Sequence, residues 1–413
     1  MSSNRIAIKF GGASGQGINT AGRMLTQSIN RTGLFTFSSR EYPSLIKGGV
    51  ASYQVDISNK EVFSSKRKYQ ILSTMSEESL HKYLPNLSEN GVLIHDGEEI
   101  EFTPDEEIHI KKNNLHVIYL NSEKIALENG GTEIMGNAVL LGFIWKILKQ
   151  DSQILVEEVL EMLSGKDIDT ETETKCLLAG FNHPLYRDEL SEGIQLPIPT
   201  QTHRSLLVTG NEAIALGALA AGMRVYYGYP MTPASSLLKF FGDTAHESKI
   251  VFKQAENEIT AALMSMGSMY MGTRALTATS GGGFDLMIET ISCCGMSETP
   301  FVVVLAQRIG AGTGLPTWTG SGDIYTAVKG GHGDFPRCVI SVSDATSCFS
   351  IIQKAFNIAD KYQLPVIVLS EKQISEAIYS VEGLTKVEKM YRDLKPSEKR
   401  YEITDSGISP RWI

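Results

Sequence analysis

The chain has few cysteines, and none of them stands in a motif that binds a metal or a cluster. Its 413 residues include five, namely Cys176, Cys293, Cys294, Cys338 and Cys348. None forms C-x-x-C, and no histidine stands near them at the spacing of a zinc site. An odd number without framework spacing is typical of reduced, mostly buried thiols, and it makes this chain alone a poor candidate to ligate an iron–sulfur cluster.

Basic residues and long apolar runs are also scarce. The sequence has 38 Lys and Arg against 47 Asp and Glu, a formal net charge of −9. Because no basic stripe is available to neutralise phosphates, nucleic acid is not expected as a partner. No run of about 18 uncharged apolar residues is present, which predicts no membrane span. The start runs directly into a strand-like segment without a signal peptide, so we predict a cytoplasmic α/β protein.

Glycine is abundant, with 38 residues that occur in clusters. The chain is long enough for two to four domains. The pattern divides into a first block, a proline-containing linker at 183–203, a second block that begins at residue 205, and a charged, aperiodic segment from 381. In both blocks, strand patterns alternate with helical ones, which predicts two doubly wound α/β domains with parallel sheets. Predicted strands lie at residues 5–10, 49–56, 69–73, 91–95, 116–120, 250–254, 274–279, 301–306, 338–341 and 365–370.

The first block opens with a glycine-rich turn between a predicted strand and a predicted helix. In GGASGQG, the spacing comes near a dinucleotide-binding pattern, and a helix N-terminus behind it would favour a phosphate. The only acid about 20 residues further on is Glu41, which is expected to follow Arg40 in a loop rather than to close a strand. A simple tight turn is therefore an equally good interpretation. The residues of this anion-loop prediction are Gly12, Gly15, Gln16 and Gly17.

A second loop of the first block, SSREYPSLIKGG, combines hydroxyl and basic residues just before a predicted strand. Ser39 and Lys47 lie in it, and such groups suit the binding of an anion or a carboxylate. A solvated loop with a glycine turn is the competing interpretation.

In the second block, polar and glycine-rich loops follow several predicted strands. Because α/β sheets build their sites at the carboxyl ends of strands, these loops are candidates for a functional site. Glu258 begins an apolar, Ala- and Met-rich helix, where it is either a residue that stabilises the helix N-terminus or a buried, poorly solvated acid. Glu256, which is expected to be exposed, is the alternative candidate for this acid. The segment GYPMTPASS also fits the ordinary start of a helix without a functional role. Arg308 stands in a glycine-rich loop directly after a strand.

Taken in order, these motifs resemble the fused gamma–alpha subunit of the 2-oxoacid:ferredoxin oxidoreductases, which are thiamine-diphosphate enzymes. Residues 1–190 resemble the gamma domain through GGASGQGINTAG and YPSLIKGG. Residues 203–380 resemble the pyrimidine-binding domain through GNEAIALGALAAG, YPMTPASS, AENEITAA, TSGGGFDLM, TGLPTWTGSGD and HGDFPR. Family members continue into a further domain, so residues 381–413 are expected to be a connector to a domain that is absent here.

The resemblance implies a role for each matching residue. Glu258 would hydrogen-bond the aminopyrimidine ring of thiamine diphosphate, Thr232 would donate to the substrate carboxylate or ketone, and Arg308 would pair with that carboxylate. Ser39 and Lys47 match gamma-domain positions that reach a distal carboxylate, which favours 2-oxoglutarate as substrate. Lysine is a point charge where many relatives have arginine, so distal recognition would be looser. The remaining residues that the resemblance places at the cofactor are Tyr229, Pro230, Ser280 and Gly281.

The implied activity is oxidative decarboxylation of a 2-oxoacid to an acyl-CoA, with electrons passed to ferredoxin. Thiamine diphosphate would be shared with a separate beta subunit that holds Mg²⁺ and the 4Fe–4S clusters, so this chain would act only in a heterodimer or a dimer of heterodimers. Coenzyme A would be the co-substrate, and no metal site is predicted in this chain. Three other interpretations stay open: the same family acting on pyruvate, a branched-chain or an aryl oxoacid; a non-catalytic assembly subunit; and an NAD-type dehydrogenase that rests on the first glycine loop alone.

Overall fold

The structure is a computed structural model that describes residues 5–43, 49–165, 167–312 and 314–391. It divides into two compact units. The first contains the described residues up to Leu207 together with Ile378–Glu382, and the second contains Val208–Ala377 and the described residues from Gly383 onward. Within these ranges, no helix is both long enough and apolar enough to cross a membrane.

Strands and helices alternate along most of the described chain. The strands are β1 (Ile6–Ala13), β2 (Phe35–Glu41), β3 (Val50–Ser58), β4 (Tyr69–Thr74), β5 (Leu87–His95), β6 (His116–Tyr119), β7 (Leu206–Thr209), β8 (Val225–Gly228), β9 (Val251–Gln254), β10 (Ala275–Thr279), β11 (Phe301–Gln307), β12 (Cys338–Ser341), β13 (Pro365–Glu371) and β14 (Ile378–Val381). The helices are α1 (Ile18–Arg31), α2 (Glu77–Tyr83), α3 (Pro104–Lys112), α4 (Ser122–Glu128), α5 (Gly136–Ile147), α6 (Ser152–Leu163), α7 (Thr170–Phe181), α8 (Gly210–Ala220), α9 (Ser235–Ser248), α10 (Glu258–Tyr270), α11 (Gly281–Met296), α12 (Ile324–Lys329), α13 (Ala345–Tyr362) and α14 (Lys372–Glu376).

The sheet of the first unit is mixed, in the order β6-β5-β4-β1-β3-β2-β14-β7. Strands β1, β4, β5 and β6 pair in parallel, whereas β3 pairs antiparallel with both β1 and β2. The α/β class is confirmed, but the prediction of a wholly parallel sheet in this block is wrong. Only residues 42–49 connect β2 to β3, which is too short for the crossover that parallel neighbours require.

The core of the first unit lies on both faces of this sheet. Ile6, Ile8 and Phe10 of β1 pack into a cluster with α1 and α5, while Ala7 of the same strand packs into a second cluster on the opposite face. Because successive residues of a strand point to opposite faces, a strand that is covered on both sides is apolar at nearly every position. The near-complete burial of β1 follows from this cover on both faces, and it includes the side chain of Lys9 among the apolar residues.

The second unit has a parallel six-stranded sheet in the order β12-β13-β11-β10-β8-β9. Its strands confirm the doubly wound arrangement predicted for the second block. The chain passes from β8 to β9 on one side and then returns to place β10 on the other side of β8. The strand order reverses at this point, and in open α/β sheets such a reversal opens a crevice at the carboxyl ends of the strands.

Candidate functional site

Four neighbouring strands of the second unit end at the same edge of the sheet, and each is followed by a loop that the sequence marked as polar. These are β9, β8, β10 and β11, which lead to Glu258, to the Tyr229–Pro233 segment, to Ser280 and to Arg308. We call Thr232, Glu258, Ser280, Arg308 and Asp323 the strand-end cluster.

Glu258 is the first residue of α10 and is buried, with 5% of its surface exposed. The capping role belongs to its neighbour, because Asn257 Oδ1 accepts a hydrogen bond of 2.9 Å from the Thr260 amide. Of the two interpretations that the sequence left open, the structure therefore shows the buried acid. Glu256 is exposed, and its carboxylate accepts a hydrogen bond from the Thr260 hydroxyl.

The backbone of α11 approaches Glu258 at Gly283. A Cβ atom at this position would lie 2.8 Å from Cγ and Oε1 of Glu258 and 2.0 Å from Oγ1 of Thr279. Only a residue without a side chain fits between the end of β10 and the start of α10. The glycine-rich turn TSGGG therefore fixes the depth at which the Glu258 carboxylate is held.

Thr232 and Arg308 are in direct contact. The Nη1 atom of Arg308 donates a hydrogen bond of 3.1 Å to the carbonyl oxygen of Thr232, and the Thr232–Pro233 peptide bond is cis. Arg308 is 6% exposed, so its guanidinium lies in the interior although it carries a charge. Burial lowers the pKa of Arg308, while the carboxylates of Asp323 and Glu258 act in the opposite direction.

Two polar atoms of the cluster have no hydrogen-bond partner among the described residues. The hydroxyl oxygen of Ser280 and the Oδ2 atom of Asp323 are buried and make no hydrogen bond within the described part of the chain. Ser280 precedes α11 as its N-cap residue but makes no side-chain capping bond. Buried polar atoms are normally hydrogen-bonded, and an unsatisfied one calls for an explanation, of which a bound ligand or water is one. The strand-end cluster thus has polar groups that a ligand could use.

The other residues that the resemblance placed at the cofactor lie at the rim. Tyr229 is 38% exposed and Pro230 is also exposed, while Gly281 is half-buried at the start of α11. A Cβ atom at Gly281 would lie 2.9 Å from Oδ1 of Asp323.

Further residues at the site were not singled out from the sequence. Asn211 of α8 is fully buried and donates hydrogen bonds to the Pro233 carbonyl (2.9 Å) and to the Ser236 hydroxyl (2.7 Å), so it holds the loop after β8. Met231 accepts a contact of 3.5 Å from the Thr279 hydroxyl and joins this loop to the end of β10.

Gln307 and Asp323 were missed as well. The Oε1 atom of Gln307 accepts a hydrogen bond of 3.0 Å from the Asp323 amide, and the Nε2 atom donates to the Ser370 carbonyl. The hydrogen bond between Gln307 and Asp323 joins the two ends of the loop that carries Arg308. The signal for Asn211 was the GNEAIALG motif, whereas nothing in the sequence pairs Gln307 with a residue 16 positions later.

The glycine-rich turn of the first unit is braced by Gln16. Its Oε1 atom accepts a hydrogen bond of 2.7 Å from the Ala13 amide, and its Nε2 atom donates one of 3.0 Å to the Met75 carbonyl. Gly17, with a φ of 80°, is the N-cap residue of α1, and a Cβ atom there would lie 2.2 Å from the Asn137 side chain. Since no side chain caps α1 and its first turn has no acid, the amides of that turn are available to an anion.

A cavity of about 380 Å³ opens at this turn and is lined by residues 13–15, 17–20, 40–42 and 51–53. Gly15 and Gly17 of the predicted anion loop line it. Gly12 lies behind it, where a Cβ atom would be 2.7 Å from the Gln16 amide oxygen.

Arg40 lines this cavity, and Ser39 does not. Ser39 and Arg40 are consecutive in β2, so their side chains leave opposite faces of the sheet. The Ser39 hydroxyl forms a hydrogen bond of 2.7 Å with that of Ser65. Lys47 lies outside the described residues.

Metal-binding side chains do not cluster in the described part of the chain. No group of three or more His, Cys, Asp or Glu residues is placed there so that it could hold an ion. The five cysteines are all free thiols, and Cys293 is the exposed one. Burial raises the pKa of Cys294 and of Cys348.

Comparison with known families assigns both halves of the chain. Residues 216–412 match the family described as "Pyruvate flavodoxin/ferredoxin oxidoreductase, thiamine diP-bdg", and residues 7–182 match "Pyruvate ferredoxin/flavodoxin oxidoreductase". The first match contains the whole strand-end cluster, and the second contains the glycine-rich turn and its cavity.

Individual relatives agree with these matches. A 2-oxoacid:ferredoxin oxidoreductase subunit alpha from Sulfolobus sp is 29% identical, over 98% of this chain and 72% of the relative. A 2-oxoglutarate synthase subunit KorA from Methanothermobacter marburgensis is 39% identical over 165 residues, which are 40% of this chain and 44% of that one. The solved 2-oxoglutarate:ferredoxin oxidoreductase from Magnetococcus marinus has a TM-score of 0.87 and 27% identity, over 100% of this chain and 72% of that one.

The buried acid, the buried arginine and the glycine turns thus lie in a fold whose relatives are subunits of one class of oxidoreductase. The chain belongs to the 2-oxoacid:ferredoxin oxidoreductase family, as a subunit of the alpha type with a gamma-like domain followed by a thiamine-diphosphate-binding domain.

Proposed function

We propose that the chain is the alpha-type subunit of an enzyme that oxidatively decarboxylates a 2-oxoacid to an acyl-CoA and passes the electrons to ferredoxin. The observation that carries this proposal is the burial of both an acid, Glu258, and an arginine, Arg308, in one cluster of the thiamine-diphosphate-binding domain. A carboxylate and a guanidinium are seldom buried without a ligand or a partner to compensate for lost hydration.

The residues present fit the pyrimidine half of thiamine diphosphate. Glu258 is poorly solvated and would hydrogen-bond the ring, and the unpartnered Ser280 hydroxyl beside Gly281 would complete its polar contacts. Tyr229 and Pro230 would border the ring from the loop after β8. When bound, thiamine diphosphate supplies the electron sink that decarboxylation of a 2-oxoacid needs.

Arg308 and Thr232 would bind the carboxylate that leaves as carbon dioxide. A guanidinium presents a planar fork of donors that matches a carboxylate, and one of its donors is already fixed on the Thr232 carbonyl. This hydrogen bond orients the fork before substrate arrives, which reduces the entropy lost when the substrate is positioned.

The substrate that we favour is 2-oxoglutarate. The Magnetococcus enzyme is described with 2-oxoglutarate, coenzyme A and succinyl-CoA bound. Lys47 would meet the distal carboxylate, with Ser39 of β2 as the accompanying hydroxyl. Pyruvate and branched-chain or aryl oxoacids, which lack a distal carboxylate, are the alternatives that substrate profiling separates.

Coenzyme A would place a phosphate at the glycine-rich turn of the first unit. The uncapped amides of α1, the cavity of about 380 Å³ and the Arg40 side chain on its wall support this assignment. Gly12, Gly15, Gln16 and Gly17 shape the turn. An anion is stabilised there both by free amides and by the helix dipole.

A beta subunit would supply what this chain does not provide. Relatives are named as alpha subunits, which implies further subunits in their enzymes. We assign Mg²⁺ with the pyrophosphate and the 4Fe–4S clusters to that partner, with ferredoxin as the electron acceptor in the cytoplasm.

Replacement of Glu258 by Gln tests the proposal. In the complex with its beta subunit, Glu258→Gln keeps the shape and removes the carboxylate, so 2-oxoacid-dependent reduction of ferredoxin or viologen is expected to fall about 10²- to 10⁴-fold. Glu256→Gln is the matched control, because it makes the same change two residues away on an exposed side chain. Turnover of Glu258→Gln that equals that of the control would overturn the assignment.

A further inference from the structure

We infer that Asn211 is a positioning residue for the substrate carboxylate, because it fixes the loop whose Thr232 carbonyl group orients Arg308. This inference rests on the proposed function, since Arg308 is the group assigned there to the carboxylate of the 2-oxoacid.

The side chain of Asn211 reaches from α8 to the start of α9. Its amide nitrogen donates hydrogen bonds of 2.9 Å to the Pro233 carbonyl oxygen and of 2.7 Å to the Ser236 hydroxyl. A helix start is usually fixed by the side chain of its own N-cap residue, but that residue in α9 is Ala234, which makes no capping bond. Asn211 therefore fixes from another helix the point where the loop after β8 ends and α9 begins.

Asn211 is itself held in place by the first turn of α8. Thr209 and Glu212 form a capping box, in which the Glu212 carboxylate accepts from the Thr209 amide at 2.7 Å and the Thr209 hydroxyl accepts from the Glu212 amide at 3.1 Å. A Cβ atom at Gly210 would lie 2.0 Å from the Ile374 carbonyl oxygen, so α8 passes close to α14 at this point. The amide thus acts on the loop from a firmly packed part of the second unit.

The side-chain oxygen of Asn211 gains nothing from this arrangement. The residue is fully buried, and its Oδ1 atom has no hydrogen-bond partner among the described residues. Rotating the amide by 180° would turn this oxygen towards the Pro233 carbonyl oxygen, which is another acceptor. Because a buried acceptor without a partner is unfavourable, the contact with the loop explains an amide at this position better than stability does.

The loop that Asn211 holds carries the partner of Arg308. Pro233 directly follows Thr232, whose carbonyl oxygen accepts the hydrogen bond of 3.1 Å from Arg308 Nη1. A guanidinium is a planar fork, so the direction of one engaged donor sets the direction of the others. A shift of the Thr232 carbonyl would therefore turn the donors that are to meet the substrate carboxylate. Asn211 acts on the substrate through these contacts and does not touch it.

A double-mutant cycle separates this role from a purely structural one. Calorimetry measures the affinity for N-oxalylglycine, an unreactive analogue of 2-oxoglutarate, in the assembled complex loaded with thiamine diphosphate. The variants are Asn211→Ala, Arg308→Gln and the combination of the two. Asn211→Leu fills the space of the amide without polar atoms, and thermal unfolding verifies that each variant is folded. Ser236→Ala is the matched control, because it removes the other acceptor of the same amide and leaves the bond to Pro233 in place.

We expect Asn211→Ala and Asn211→Leu to bind the analogue about tenfold more weakly than wild type, and Ser236→Ala to stay within about twofold. When Arg308 is already Gln, Asn211→Ala should change the affinity by less than about twofold, since the group that it positions is gone. Equal losses with and without Arg308, or wild-type affinity in Asn211→Leu, would overturn the inference. A wild-type complex that binds the analogue through Arg308 but turns over no 2-oxoacid would refute the proposed function alone.

Discussion

Replacing Gly283 by alanine adds one methyl group at the point where α11 passes Glu258. The new Cβ atom would lie 2.0 Å from Thr279 Oγ1 and 2.8 Å from Glu258 Cγ, whereas ordinary contacts are 3.4–4 Å. The Thr279 hydroxyl must therefore move by more than about 1 Å, and Glu258 must move with it. Overpacking of this kind costs about 1–3 kcal/mol, and the gain of about 0.5–1 kcal/mol for alanine over glycine in a helix offsets part of it. We expect a net loss of about 1–2 kcal/mol of stability, which lowers Tm by about 2–8 °C in a unit of this size.

The activity should fall further than the stability. A catalytic group displaced by about 1 Å loses about 10²-fold in rate, so 2-oxoacid-dependent viologen reduction by the assembled Gly283→Ala complex should drop by that factor. Gly282→Ala is the matched control, since the nearest atoms to its Cβ would be the Gly312 carbonyl oxygen at 3.4 Å and Met231 Cε at 3.7 Å. It should keep its activity and be slightly more stable than wild type. If the two alanine variants have the same Tm and the same turnover, our account of how Glu258 is held is refuted.

Two further predictions concern stability in each unit. Arg274 is 1% exposed and pairs with the Asp360 carboxylate at 2.8 Å, so Arg274→Met should cost about 3–5 kcal/mol in urea unfolding, and a loss below 1 kcal/mol would contradict the pairing. A hydrogen bond of 2.7 Å to Glu106 raises the pKa of His81 above its ordinary value of 6.5. The stability that protonated His81 contributes is therefore fully present below pH 6.5 and is lost as the pH rises through the pKa of His81 in the folded state. His81→Gln should therefore destabilise the protein more at pH 5.5 than at pH 9, and equal losses at the two pH values would show that the charge is irrelevant.

The sequence was sufficient to predict that several polar loops reach one edge of the second sheet, because the position of a loop in a parallel sheet fixes which edge it reaches. Glu258, Thr232 and Arg308 stand in or next to these loops, and the structure places them at one edge through strands that are adjacent in the sheet. Whether Glu258 stabilises the N-terminus of its helix or is a buried acid was left open by the sequence pattern. The cap depended on the side chain of Asn257, which the pattern did not mark.

Contacts between distant segments were not predictable in the same way. Asp323 is at the site because a single hydrogen bond joins its amide to Gln307, and nothing in the spacing of the two residues indicates this bond. Arg40 lines the cavity and Ser39 does not, although both lie in β2, a strand that the pattern did not mark. The return of β14 to the first sheet likewise depends on pairing with β2, some 340 residues earlier in the chain.

The most direct test of the account is the oxoacid-dependent activity of this chain assembled with its beta subunit. We predict that reduction of ferredoxin requires thiamine diphosphate and coenzyme A, and that 2-oxoglutarate is preferred to pyruvate and to branched-chain or aryl oxoacids. A preference for an oxoacid without a distal carboxylate would overturn the proposed substrate. Absence of turnover with every 2-oxoacid in a complex that binds thiamine diphosphate would contradict the account as a whole.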